Sequence, residues 1–292
     1  MKIGIIGGGS IGLLLSWYLS GVHEVTIYVR STQQKKSINE YGISHTQHSV
    51  PRTVPALLTE ELGQEDCYIV CVKQPQLTNV VPYITKIVSK TPLIFLQNGM
   101  AHIDQIKNIA VPVFLGIVEH GAQRLNSCTV AHTGQGLIKL ATYNEKREML
   151  KAVVTNLNQP KFPIRMENDW LSMLGEKLVV NAVINPLTAL FEVQNGEVIR
   201  NPYIVSIAKE LCHEASMVLG LPFLEQWKHV LTVAEKTKEN VSSMWKDLKE
   251  NQQTENEAIS GFLLNRARQN IPYTSFVYNG IRALERKKGI KD

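Results

Sequence analysis

Lys177, Asn181 and Asn185 follow one another at four-residue intervals, and Thr188 falls close behind them. At helical pitch, about 100° per residue, these four share a stripe roughly 80° wide. Leu178, Val179, Val180, Ala182, Val183 and Ile184 fill the rest of the segment, and all are apolar. A surface helix carries a wider polar arc, so the pattern predicts a buried helix that turns one ammonium and two amides toward a polar cavity. A buried ammonium without partners is costly, and a ligand in the cavity is one way to offset that cost. The alternative is a solvent-facing edge on which Asn185 caps carbonyls freed by Pro186. Nicotinamide-dependent reduction of a carbonyl would use such a stripe. A lysine lining a partly dry cleft can polarise the C=O and deliver a proton, while asparagines orient groups without adding charge.

A second constellation opens the chain. Lys2 to Ile6 reads as a buried strand, Gly7-Gly8-Gly9-Ser10-Ile11-Gly12 as a tight turn, Leu13 to Leu19 as an apolar helix ended by Gly21, and Glu24 to Val29 as a second strand. Strand, glycine turn, helix and strand make a βαβ unit with glycines in the G-x-G-x-x-G pattern. Gly7 permits the turn, Gly9 lets backbone approach a pyrophosphate, and Gly12 lets helix and strand pack closely. The helix then offers free N–H groups and a positive dipole end to the phosphates; the alternative is a glycine turn with no ligand. Where an NAD enzyme places an acid for the adenosine ribose, this chain has Arg30, then Ser31 and Thr32. A guanidinium matches a phosphate in charge and geometry, which predicts NADPH over NADH. Lys35 or Lys36 could assist, or both could be solvated helix residues.

These groups need elements to hold them. Asp66 to Val72 predicts a core strand ending in Lys73-Gln74, at the carboxyl edge where α/β proteins bind ligands; Lys73 is a cofactor or substrate contact, or an ordinary loop lysine. Leu93 to Leu96 predicts another strand, ending in Gln97-Asn98-Gly99-Met100, and Val111 to Val118 a third, ending near His120. His120 could act as acid or base, or support the loop backbone. Thr129 to His132 and Leu137 to Leu140, joined through Gly134 and Gly136, predict a hairpin at the sheet edge. Residues 42–58 are mixed, with strand-like fragments around Pro51 and Pro55. After Pro163 the strand-like runs stop, and helices are predicted over 168–191, 202–219, 223–237, 241–250, 256–269 and 274–287. The expected division is a dinucleotide-binding domain over 1–166 and an all-helical substrate domain over 167–292, with the ligand in the cleft between them.

Bulk properties narrow the class. With 292 residues there is room for two ordinary domains. The formal charge of +5 suits an anionic small ligand. The basic residues are dispersed, apart from Lys35-Lys36 and the tail Arg286-Lys287-Lys288, so nucleic acid is not expected. Cys67 and Cys71 have no second pair to complete a metal site, and Cys128 and Cys212 stand apart; reduced thiols and no metal are expected. No apolar run reads as a membrane span and no signal-peptide layout opens the chain, so a cytoplasmic location is expected.

The residues quoted so far, Gly7-x-Gly9-x-x-Gly12, Arg30, Val72-Lys73 and Gln97-Asn98-Gly99-Met100, continue into a more specific block. Lys177-Leu-Val-Val-Asn181-Ala-Val-Ile-Asn185-Pro186-Leu-Thr188-Ala189 is followed by Asn195-Gly196-Glu197, Asn240-Val-Ser242-Ser243-Met244, Thr254-Glu255 and Gly261-Phe262. Over nearly its whole length the chain resembles the ketopantoate reductase (2-dehydropantoate 2-reductase) family. The resemblance implies an α/β N-terminal Rossmann-type domain and an all-α C-terminal domain of the 6-phosphogluconate dehydrogenase C-terminal-like kind. It implies NADPH-dependent reduction of 2-dehydropantoate to (R)-pantoate, on the route to pantothenate and coenzyme A, with Lys177 as general acid. It places Asn98, Asn181, Asn185, Asn195, Ser243 and Glu255 around the substrate. The Gly7, Gly8, Gly9, Ser10, Ile11, Gly12 turn, Arg30, Lys73, Asn98 and Glu255 fall on the cofactor side. One departure is that Asn256-Glu257 follows Thr254-Glu255, where relatives commonly carry an apolar residue and an aspartate. The alternatives are a reductase of another 2-oxo acid or a phosphorylated ketone, and a non-catalytic NADP-sensing protein. A homodimer and a monomer are both compatible with the sequence.

Overall fold

β1 (Lys2–Ile6), α1 (Ser10–Leu19) and β2 (Glu24–Val29) form the opening unit where the hydropathy pattern put it. The computed structural model describes residues 1–87 and 90–290. Two units emerge: Met1–Gln97 with Ile103–Trp170, and Asn98–His102 with the chain from Leu171 onward.

In the first unit the chain continues through α2 (Thr32–Tyr41), β3 (Ser44–His45), β4 (Ala56–Leu58), β5 (Cys67–Val70), α3 (Gln74–Ile84), β6 (Leu93–Phe95) and α4 (His102–Ile106). It ends with β7 (Val113–Val118), β8 (Gly121–Arg124), β9 (Thr129–Gly134), β10 (Ile138–Thr142), α5 (Arg147–Leu157) and β11 (Ile164–Met166). Eight strands make one sheet in the order β11-β10-β7-β6-β5-β1-β2-β4, parallel except between β10 and β7. Parallel strands covered on both faces read as unbroken apolar runs, and β1 and β5 are buried over nearly all their length.

A second sheet, β3-β9-β8, packs on α1. The predicted hairpin is corrected here: β9 belongs to the small sheet, whereas β10 pairs with β7 and β11 in the large one. The Gly134–Gly136 link is a crossover between sheets. β11 also adds a strand beyond Pro163, where only helix was expected. It is a three-residue edge strand, too short to show alternation.

Where the small sheet meets α1, three side chains join in series. Gly136 N–H donates to His120 Nδ1 (3.1 Å), which also lies 3.1 Å from His132 Nε2, and His132 Nδ1 is 3.1 Å from the Tyr18 hydroxyl. Since His120 Nδ1 accepts, His132 Nε2 carries the proton between the rings and Tyr18 donates to the other nitrogen. Burial, with His132 beside it, pushes His120 down to about 4. His120 thus supports backbone, the second of the two roles open to it.

The second unit is helical: α6 (Trp170–Phe191), α7 (Glu197–Arg200), α8 (Pro202–Leu219), α9 (Phe223–Lys236), α10 (Ser243–Lys249), α11 (Phe262–Arg266) and α12 (Pro272–Lys287). A π turn, Glu257–Gly261, leads into α11. Local signals set the ends. Asn201 caps α8 through Tyr203 N–H, Gly220 (φ +67°) closes it in the left-handed conformation, and Ser242 caps α10 through Trp245 N–H. At 22 residues, α6 is long and apolar enough by length and composition to cross a membrane, contrary to the sequence expectation, but 72% of its apolar stretch is buried in the fold. Pro186 lies inside α6 rather than at its end, so Asn185 is not a terminal cap.

Candidate functional site

The glycine turn is shaped by what its residues lack. Gly7 has φ +114°, and its N–H donates to Tyr28 O on β2 at 2.8 Å. A Cβ on Gly12 would lie 1.8 Å from Gly7 O, so only glycine lets α1 start this close to the strand. A Cβ on Gly9 would meet nothing within 4 Å, which leaves a bare backbone face for a ligand. Ser10 and Ile11 start α1. Arg30, just beyond β2, is exposed, whereas Lys35 is engaged by Glu61 at 2.6 Å.

Two residues that sequence spacing does not single out also hold the turn. Gln34, 8% exposed, donates from Nε2 to Gly8 O (2.8 Å) and Ser127 O (2.9 Å). Arg124 reaches Gly8 O with Nη1 (3.3 Å), and its backbone N–H donates to Ser10 Oγ (3.0 Å). Neither belongs to a motif; a glutamine buried on the otherwise polar α2 is the one local hint. At the strand ends, Gln97 Nε2 donates to Val70 O (3.0 Å) and Val72 O (3.1 Å), which fixes the chain just before Lys73. Lys73 is the N-cap residue of α3 and is exposed.

In the helical unit, α6 presents Lys177 and Asn181 half-buried, Asn185 at 8% exposure and Thr188 fully buried. The stripe predicted from spacing is therefore graded from partly open to closed along one helix. Thr188 Oγ1 lies 2.7 Å from Ile184 O and 2.7 Å from Ser242 Oγ, which ties α6 to the start of α10. Ser242, not Ser243, is the cap, so the exposed Ser243 hydroxyl has no capping duty. Asn195 is held by Thr237 Oγ1 (Nδ2, 3.0 Å) and Asn240 O (backbone N–H, 3.0 Å), and among the described residues it bonds none of the other candidates.

Asn98 and Glu255, 157 residues apart, do come together: Asn98 Nδ2 donates to Glu255 Oε2 at 2.8 Å. The adjacent Gly99 (φ +76°) makes this possible, because a Cβ there would sit 2.3 Å from Ala258 O in the π turn. Cys67 is buried on β5, where burial, with Asp66 beside it, pushes its thiol up to about 12.

Known proteins resemble this chain in sequence and fold. Residues 3–145 match the family described as ketopantoate reductase PanE/ApbA, and residues 169–285 match its C-terminal family. A 2-dehydropantoate 2-reductase of Bacillus subtilis (strain 168) is 40% identical over 293 residues, 98% of each chain. The crystal structure of a probable 2-dehydropantoate 2-reductase from Bacillus subtilis superposes with TM-score 0.89 at 39% identity, covering 97% of this chain and 100% of that one. D-mandelate dehydrogenase in its ternary structure with NADH and anilino(oxo)acetate has the same fold, with TM-score 0.93 at 22% identity over 100% of both chains. By family match and by identity along its length, this chain belongs to the ketopantoate reductase PanE/ApbA family.

Proposed function

We propose that this chain reduces 2-dehydropantoate to (R)-pantoate with NADPH. The carrying observation is the Lys177–Asn181–Asn185 stripe on the largely buried helix α6, in a chain 40% identical to a 2-dehydropantoate 2-reductase. The first unit suits the cofactor. The bare face at Gly9 admits a pyrophosphate beside the N–H groups of Ser10, Ile11 and Gly12. Arg30 suits the 2′-phosphate, and Lys73 and Asn98 sit at strand ends where α/β proteins bind nucleotides. Bound NADPH supplies the hydride for the 2-oxo carbon.

The chain's own residues do the rest. Lys177 Nζ donates a hydrogen bond to the keto oxygen, stabilises negative charge as it grows there, and passes over a proton. Asn181 and Asn185, one and two turns further on, fix the substrate's orientation, with Asn98 and Asn195 as further amide contacts. The Ser243 hydroxyl donates to the substrate carboxylate. Glu255, bonded to Asn98, accepts from the substrate hydroxyl or from the cofactor side. The same assignment gives 1–166 to NADP binding and 167–292 to substrate binding. The same reading carries a cytoplasmic location and a homodimer; the dimer rests on Tyr203, Leu224 and Phe276, exposed apolar side chains of the helical unit that a second copy would cover, and sedimentation tests it.

The deciding assay is NADPH oxidation with ketopantoate beside other 2-oxo acids and phosphorylated ketones, compared by kcat/KM. Ketopantoate is expected to lead. A different leader reassigns the substrate, and tight NADPH binding without turnover on any carbonyl ends the catalytic assignment.

A further inference from the structure

Glu285 on α12 is 3% exposed, and its side-chain hydrogen bonds among the described residues go to Thr254 and Arg282, neither assigned to substrate or cofactor. Its Oε1 accepts both the backbone N–H (3.0 Å) and the hydroxyl (2.7 Å) of Thr254, and its Oε2 accepts from Arg282 Nη1 (3.2 Å). A buried carboxylate is tolerated only when its oxygens are bonded in this way. The two Oε1 bonds converge on Thr254, the residue just before Glu255. On the other side, Asn256 is 1% exposed; its N–H donates to Thr254 Oγ1 (3.2 Å) and its Nδ2 donates to Tyr278 O on α12 (3.0 Å). Both neighbours of Glu255 are thus fastened to α12.

Immediately beyond, the helix widens into the π turn Glu257–Gly261, and π turns are rare and concentrate at functional sites. Glu257 accepts from the Tyr278 hydroxyl at 2.7 Å, a third tie to α12. Within this frame the Glu255 side chain meets Asn98.

We infer that Glu285, acting through Thr254, is a positioning residue for the Glu255–Asn98 pair and so for the reductase reaction. It touches neither substrate nor cofactor. Its carboxylate sets where the backbone at residue 254 lies, and that sets where the Glu255 carboxylate points. Misplacing a binding group by about 1 Å can cost on the order of a hundredfold in rate, so a distant buried acid can govern turnover. The inference rests on the role given to Glu255 above.

The test is a double-mutant cycle on the full-length protein, with kcat and KM for ketopantoate and NADPH measured separately and thermal midpoints recorded. Glu255→Gln is expected to lower kcat/KM about tenfold or more, and Glu285→Ala to lower it about tenfold through the same parameter. Glu285→Gln keeps an acceptor for Thr254 and should recover most of that loss. The double variant Glu255→Gln/Glu285→Ala should be no worse than Glu255→Gln alone, because residues acting as one unit do not add. If Glu285→Ala does not fold, Thr254→Val, which deletes one hydroxyl, enters the same cycle with an expected loss of about threefold. Multiplying losses, a loss in a parameter that Glu255→Gln leaves alone, or full activity in folded Glu285→Ala and Thr254→Val would overturn the positioning role while leaving Glu255 in place. Wild-type turnover by Glu255→Gln would remove the role of Glu255 itself, and this inference with it.

Discussion

The glycine turn and the Lys177 stripe are built by opposite means. The turn is made of backbone: Gly7 held on Tyr28 O, Gly12 pressed against Gly7 O, and open space over Gly9. Its proposed role in binding NADPH rests on side chains that are missing. The stripe is all side chain, displayed along one helix, and other candidate groups of the helical unit are set by distant partners, as Thr188 is by Ser242 and Asn98 by Glu255. A backbone-built site should fail by collision and take the fold with it. A side-chain site should fail chemically while the fold survives.

Lys177→Ala sharpens this contrast most. Losing the proposed general acid should lower kcat by about a thousandfold, with circular dichroism and NADPH affinity unchanged; unaltered turnover would remove Lys177 from the chemistry. The turn offers the opposite outcome. Gly12→Ala drives a methyl into Gly7 O and should cost about 3 kcal/mol of stability in denaturant titrations. Gly9→Ala, with nothing within 4 Å of the new methyl, should unfold within about 0.5 kcal/mol of wild type yet bind NADPH more weakly. Equal NADPH affinity for wild type and Gly9→Ala would break the idea of close backbone approach. Arg30→Ala is intermediate: NADPH affinity should fall by about 10- to 100-fold, as expected for a charge-assisted bond of about 1.5–3 kcal/mol, while NADH affinity stays level. A parallel loss for both cofactors would place Arg30 elsewhere.

Acid should distinguish the regions more gently. Burial holds His45 and His120 down to about 4, against 6.5 for the free side chain. Neighbouring His48 and His132 add to this for His45, and His132 for His120. The folded state keeps both rings neutral, so the unfolded chain takes up protons first as pH falls. Stability is fully present above about 6.5 and drains away toward about 4. Both rings lie in the unit that carries the turn, so probes there should lose their urea midpoint before probes on α6. Simultaneous loss, or none, would count against it.

Where residues carried their structural role locally, the sequence was readable. The Lys2–Val29 unit, the α6 stripe and the α8 boundaries at Asn201 and Gly220 follow from spacing, caps and breakers. Arg30 and Lys177 could be named because an unusual residue type stood at an informative place. Gln34 and Arg124 could not, since their bonds to Gly8 join segments 26 and 116 residues away, and nothing beside them in the chain records that. Glu285 is hidden for the same reason: its partner, Thr254, is 31 residues distant. The β9–β10 error has another origin, because two short alternating runs across a glycine link look the same whether they pair together or enter separate sheets.

The proton order through Tyr18, His132 and His120 has a consequence for how the molecule breathes. Each bond joins a different piece of chain, α1 to β9, β9 to the segment before β8, and that segment to Gly136. None can swing out without stranding a buried donor or acceptor on the next. The outer three-stranded sheet and the first helix should therefore exchange their amide hydrogens as one cooperative block, with a shared opening rate.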